Sequence, residues 1–219
     1  IVKWDDKTKV NQYIKELVIE KIVKSDIPES FNKVNISLLS ALINIFMKDV
    51  GMILDVTSLS KELGIHKLTL SEHINFLEFG NLISVIKNFR PSIRAESRKL
   101  KKIYPFNISL SFCFYPRLIE GKIYESLVCS ALNLNKYWRK GEKEIDFLKI
   151  NDIIMPIEVK EKDVIKKDDI KNLIYFMKKY KLNKGIVIYS GEEGILKIDS
   201  REIILFPIHK LLFNFNLEE

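Results

Sequence analysis

Residue types suited to phosphodiester chemistry stand in the second half of this 219-residue chain as Asp146, then eleven residues, then Glu158-Val159-Lys160. Side chains alternate faces along a strand, so in Pro156-Ile157-Glu158-Val159-Lys160 the spacing sends Ile157 and Val159 into the core and Glu158 and Lys160 to the opposite face. The same rule in Glu144-Ile145-Asp146-Phe147 separates Glu144 and Asp146 from Ile145 and Phe147. If the two stretches pair as a hairpin, Asp146 and Glu158 converge. Two carboxylates, the Val159 carbonyl and water make the oxygen-rich, incomplete shell that Mg²⁺ prefers, leaving positions for a phosphate and an attacking water. Lys160 then contacts the phosphate or the nucleophilic water and stabilises charge developing in the transition state. The competing account is a solvated strand face. A place in mid-domain between helices weighs against it, because a charged face there is costly unless it lines a site.

The elements that must position these residues follow from periodicity. An amphipathic helix is expected from about 118 to 134, with Ile119, Ile123, Leu127, Val128 and Ala131 on one face and Glu125 within it. Strands are expected over 136–139, 144–150 and 153–161, joined by hairpin turns at Lys140-Gly141-Glu142 and Asn151-Asp152. A helix over 168–180 then leads into the apolar strand 186–189, and 194–207 reads as an added hairpin. The order is helix, three strands, helix, strand.

The first half reads as helical. Apolar residues fall at helical spacing over 10–22, Asp26-Ile27-Pro28 is expected to end that helix, and a second runs over 35–48. Between Gly51 and Phe89 the pattern is that of a helix-turn-helix. Thr57 caps a short helix carrying Leu59 and Leu63, and Gly64 permits the left-handed turn. Leu68, Leu70, Ile74 and Leu77 line a second helix ended by Gly80. The extended stretch 82–86 would start a wing, so the module resembles a winged helix. Its second helix would show Lys67, Thr69, Ser71, Glu72 and Asn75 to solvent, groups that contact phosphates and bases, although Glu72 opposes DNA. Beyond it Lys87, Arg90, Arg94, Arg98, Lys99, Lys101 and Lys102, with Glu96 the one acid, could track a phosphate backbone or form a solvated hairpin. Winged helices also serve as protein-docking modules.

Composition sets outer bounds. The net charge of +7 favours an anionic partner. Its excess lies before residue 103, with 17 basic against 12 acidic residues. No apolar run approaches the roughly 18–20 residues that cross a bilayer. Cys113 and Cys129 sit in apolar settings away from ligand spacing with His66, His73 or His209, which argues for free thiols in a reducing cytoplasm and against zinc. No Gly-x-x-x-x-Gly-Lys-Ser/Thr loop is present, so ATP binding by such a loop is excluded here. Ile1 in place of Met is read as the start of a fragment.

The succession Asp146, Glu158-Val159-Lys160, preceded by helical Glu125, resembles the PD-(D/E)XK nuclease superfamily, whose core has the same element order. The wider string Gly121-Lys-Ile-Tyr-Glu125-Ser-Leu-Val128, Tyr137-Trp138-Arg139, Glu144-Ile-Asp-Phe147 and Pro156-Ile-Glu-Val-Lys160 is similar to the domain-of-unknown-function 4143 family. That family forms the C-terminal part of archaeal and bacterial AAA-type P-loop ATPases. The likeness is taken to cover essentially the whole chain, winged helix included. Lys101-Lys-Ile-Tyr-Pro-Phe-Asn107 departs at its last position, where the family usually has Asp.

The resemblance implies an α/β (α+β overall) chain: a helical winged-helix domain over 1–102 and a PD-(D/E)XK restriction-endonuclease-like mixed-sheet domain over 103–219. It implies Asp146 and Glu158 as ligands of Mg²⁺ or Mn²⁺, Glu125 as an accessory acid, and Lys160 as the phosphate-facing base or electrophile. The expected partners are DNA, an upstream P-loop ATPase module of the same polypeptide and further copies of the chain, with no membrane. Two functions follow: Mg²⁺-dependent hydrolysis of DNA by an ATPase-linked nuclease, or a catalytically inactive module that binds DNA or protein and regulates the ATPase. A plain transcription regulator would leave the second domain unexplained.

Overall fold

The computed structural model describes residues 6–92 and 100–212. It is a mixed α/β structure, and among the described residues the strands form two mixed five-stranded sheets. The sequence divides once, at 102–103, whereas the contacts interleave the chain into two units. One contains the described residues of 1–85 and 100–119, the other those of 86–99 and 120–219.

In the first unit α1 (Lys7–Tyr13) starts on Asp6, whose side chain accepts from Thr8 N–H. It runs on through two π-helical stretches, Ile14–Ile19 and Ile22–Asp26, into α2 (Ile27–Ser30). Pro28, expected to end the helix, lies inside it. It comes just after the π-helical stretch Ile22–Asp26, where the regular i−4 ladder is already interrupted, and the extended Phe31 stops the helix instead. Helix α3 (Ile36–Lys48) is followed by β1 (Met52–Leu54), α4 (Val56–Glu62) and α5 (Lys67–Phe79). Asp55, not Thr57, caps α4: its carboxylate accepts from the N–H groups of Thr57 and Ser58, two residues ahead of the expected cap. Gly64 takes the left-handed conformation the turn needs, at φ +65°. Leu68, expected in the core, is 71% exposed, and its place on the buried face is taken by His73 beside Leu70, Ile74 and Leu77.

The strand expected over 82–86 is β2 (Ile83–Asn88). A strand the sequence did not announce, β3 (Lys101–Pro105), pairs antiparallel with β1, Met52 opposite Ile103. Its register buries Lys102 and leaves Lys101 part-exposed, so this end of the basic run is a strand of the core. Helix α6 (Ile108–Phe112) follows, capped by Asn107, whose side chain accepts from Ser109 N–H at 2.9 Å. Asn supplies the side-chain acceptor that an Asp would, so the cap is made.

The second unit contains α7 (Glu120–Ala131), β4 (Lys136–Lys140), β5 (Lys143–Ile145), β6 (Phe147–Ile150), β7 (Ile154–Lys160), α8 (Lys171–Tyr180), β8 (Lys184–Tyr189), β9 (Gly194–Ile198) and β10 (Arg201–Pro207). The single strand expected over 144–150 is broken at Asp146: β5 pairs with β4 and β6 pairs with β7. The second sheet has the order β6-β7-β8-β10-β9. Strand β7 runs antiparallel to β6 and parallel to β8, with α8 as the crossover. Leu173, Phe176 and Met177 of α8 pack with Trp138, Leu148, Val187 and Tyr189 in one core. Among the described residues no helix is long and apolar enough to cross a membrane.

Candidate metal and phosphoryl-transfer site

The register of β7 places the chemistry. Glu158 lies opposite Val187 and Lys160 opposite Tyr189 on the parallel neighbour β8. Residues opposite one another share a face, so both charged residues point to the side where Val187 and Tyr189 meet α8. The expected alternation holds, but both faces of β7 are covered, since Ile157, Glu158 and Val159 are all buried. Glu158 is 3% exposed.

Asp146 meets Glu158 by a route that simple strand pairing would not give. At the break between β5 and β6 its own ladder is interrupted, and its carboxylate Oδ2 accepts from Val159 N–H at 2.8 Å, replacing the missing backbone acceptor. That bond brings the carboxyl beside Glu158, near enough for the charge of one acid to act on the other. Lys160 Nζ donates to Glu158 Oε2 at 2.7 Å. Glu158 Oε1 is buried and has no hydrogen-bond partner among the described residues. Burial above all, then the neighbouring Asp146 charge, holds the Glu158 carboxyl well above the usual carboxylate range against the pull of Lys160. Burial draws Lys160 down, but Glu158, Asp146 and Asp169 together outweigh it and hold the ammonium above its ordinary value.

Asp169, not singled out in the sequence, closes this end of the site. It lies in the 3₁₀ turn Lys167–Ile170 that leads into α8, accepts from Lys166 N–H at 2.9 Å and pairs with Lys162. Acids in the first turn before an apolar helix are the one signal that could have marked it.

Glu125 is not gathered with the other acids into a three-ligand cluster. Its carboxylate is held by Lys122 one turn earlier on α7 at 3.0 Å, and among the described residues no group of three Asp, Glu, His or Cys could hold a metal ion. The two-acid set still fits Mg²⁺ or Mn²⁺: it offers hard oxygens, one of them buried and unpartnered, and Mg²⁺ is commonly held by one or two carboxylates with water and phosphate completing the shell.

The expected DNA-facing residues divide. Lys67 and Asn75 are exposed on α5, while Thr69 and Ser71 are half-buried. Arg90 is committed elsewhere: its guanidinium donates to the carbonyls of Phe89 at 3.0 Å and Arg139 at 2.5 Å, tying down the segment after β2. Arg94 and Arg98 lie outside the described residues.

The chain thus contains a mixed α/β unit with a paired-acid and lysine site and a second, mostly helical unit. Residues 1–115 match a domain of unknown function, DUF8612, over more than half of the chain, and the chain belongs to that family. Residues 117–211 match a second domain of unknown function, DUF4143. The likeness expected over the whole chain is therefore confined to its second half, and the first half has a family of its own. No curated protein and no solved structure matches the chain.

Proposed function

We propose that the second half is a PD-(D/E)XK-like phosphodiesterase dependent on Mg²⁺ or Mn²⁺ and acting on DNA, as the C-terminal region of a P-loop ATPase. The observation that carries this is the meeting of Asp146 and Glu158 with one buried Glu158 oxygen left without a partner. A buried carboxylate oxygen normally finds a donor, and one held open next to a second acid suits a cation. Asp146 and Glu158 would hold the ion, which supplies Lewis-acid polarisation of a phosphoryl oxygen and lowers the pKa of a bound water. The Val159 N–H holds Asp146 in place, and Asp169 helps keep Lys160 protonated for the charge that builds on the phosphorane oxygens. In the first half the helix-strand-helix-helix-strand-strand order supports a winged helix, with Lys67, Thr69, Ser71 and Asn75 of α5 turned to DNA.

One observation favours the inactive-module reading: Lys160 is spent on Glu158 and Glu125 on Lys122, an arrangement that balances charge without any substrate. A cleavage assay on duplex, single-stranded and branched DNA with Mg²⁺ or Mn²⁺, wild type beside Asp146→Asn, separates the two. Cleavage lost in the variant supports the nuclease. No cleavage of any substrate by a folded wild type overturns it in favour of the module.

A further inference from the structure

A second feature of this unit lies at the other end of its strands. A cavity of about 830 Å³ opens at the start of β7 and β8, beside the Asn151-Asp152 turn and the loop after α8. Three lysines from separate elements converge on it: Lys149 of β6, Lys181 after α8 and Lys184 at the head of β8. Asp152 is the one acid in the lining, and among the described residues none of the three lysines forms an ion pair. By contrast Lys122, Lys160, Lys162 and Lys178 are each matched to an acid. Complementing the α8 dipole accounts for lysines in its last turn, such as Lys178 and Lys179, but not for Lys149 and Lys184, which arrive from strands.

We propose that this cavity binds the sugar-phosphate backbone and a base of a nucleic-acid strand. Unpaired lysines around a concave surface lower the potential energy of an anion, and this volume lies in the range of pockets that accept a nucleotide-sized ligand. The rest of the lining points to nucleic acid over an acidic polypeptide: Asn151 and Asn183 offer amide donors and acceptors suited to base edges, and Met155 and Leu182 offer an apolar seat for a base face. A run of carboxylates would use the lysines alone. Met155 and Glu158 are three residues apart on β7, roughly 10 Å at the usual strand rise, and neither Asp146 nor Glu158 lines the groove, so it is separate from the paired acids. It shares with the proposed function the choice of nucleic acid as partner, but not the acid pair.

The test is fluorescence anisotropy with labelled single-stranded and duplex oligonucleotides, and with poly-glutamate, on the 219-residue chain in EDTA, where cleavage plays no part. Between about 50 and 200 mM salt the wild type should lose roughly 20- to 40-fold more affinity than the triple variant Lys149→Ala/Lys181→Ala/Lys184→Ala, the share of three phosphate contacts. A triple Lys→Arg variant should keep the wild-type slope. An unchanged slope in a folded triple-alanine variant, an absence of nucleic-acid binding by the wild type, or a preference for poly-glutamate would each overturn the proposal. A nuclease inactive in the cleavage assay would leave the binding result as it stands.

Discussion

His73 in one unit and Glu158 in the other are both ionisable and almost completely buried, and the fold treats them differently. His73 of α5 is 1% exposed and Glu158 of β7 is 3% exposed. Both imidazole nitrogens of His73 are used: Asn35 N–H donates to Nε2 at 2.9 Å and Nδ1 lies 2.7 Å from the Thr69 carbonyl, which fixes a neutral tautomer with its proton on Nδ1. The ring ties the start of α3 to α5 and has no remaining valence for a ligand. Glu158 has one oxygen on Lys160 and the other open, with a second acid beside it. A buried polar group with every partner supplied belongs to the fold; one left short is where a ligand completes the structure.

The largest effects should break the Glu158 side of this comparison. Asp146→Asn keeps an oxygen for Val159 N–H but removes a charge from the cation site, so Mn²⁺ binding by calorimetry should vanish while the fold persists. Lys160→Met should leave Mn²⁺ binding intact and lower cleavage by about two to three orders of magnitude, as deletion of a charge-stabilising donor does. Loss of metal binding in Lys160→Met with cleavage otherwise normal would contradict the assigned roles.

A smaller effect concerns pH. The Glu158 carboxyl is raised in the folded chain, so the stability it contributes is complete below its ordinary value near 4.5 and is lost as pH rises through the folded-state value. In metal-free buffer the wild-type Tm should therefore fall as pH climbs above that point. Glu158→Gln, neutral throughout, should flatten the fall, and added Mg²⁺ should restore the wild type at the high-pH end. Parallel pH profiles for wild type and Glu158→Gln would rule this out.

On the His73 side the effects are those of fold alone. His73→Leu leaves Asn35 N–H without its acceptor and should cost about 1–3 kcal/mol in urea unfolding, with Mn²⁺ binding unchanged. Asn35→Ala removes the side chain that accepts from Leu38 N–H at 3.0 Å and should cost about 1 kcal/mol. If either substitution altered metal binding, the separation between the two kinds of buried group would fail.

Strand periodicity alone made it possible to read Glu158 and Lys160 onto one face, apart from Ile157 and Val159, because side-chain direction in an extended chain is a local property. Local spacing likewise marked the Gly64 turn, the apolar face of α5 at Leu70, Ile74 and Leu77, and the order of elements in the second half. Long-range pairing was not legible. The break at Asp146 follows from β5 and β6 choosing different partners, and only that choice turns the carboxylate onto Val159 N–H. The fates of Glu125 and Arg90 were decided by the nearest complementary group, Lys122 in one case and backbone carbonyls in the other, at distances a list of residue types does not contain. The meeting of Lys149, Lys181 and Lys184 depends on three elements joined by the sheet and its crossover helix, since residues more than thirty positions apart converge only when hydrogen-bonded strands bring them together.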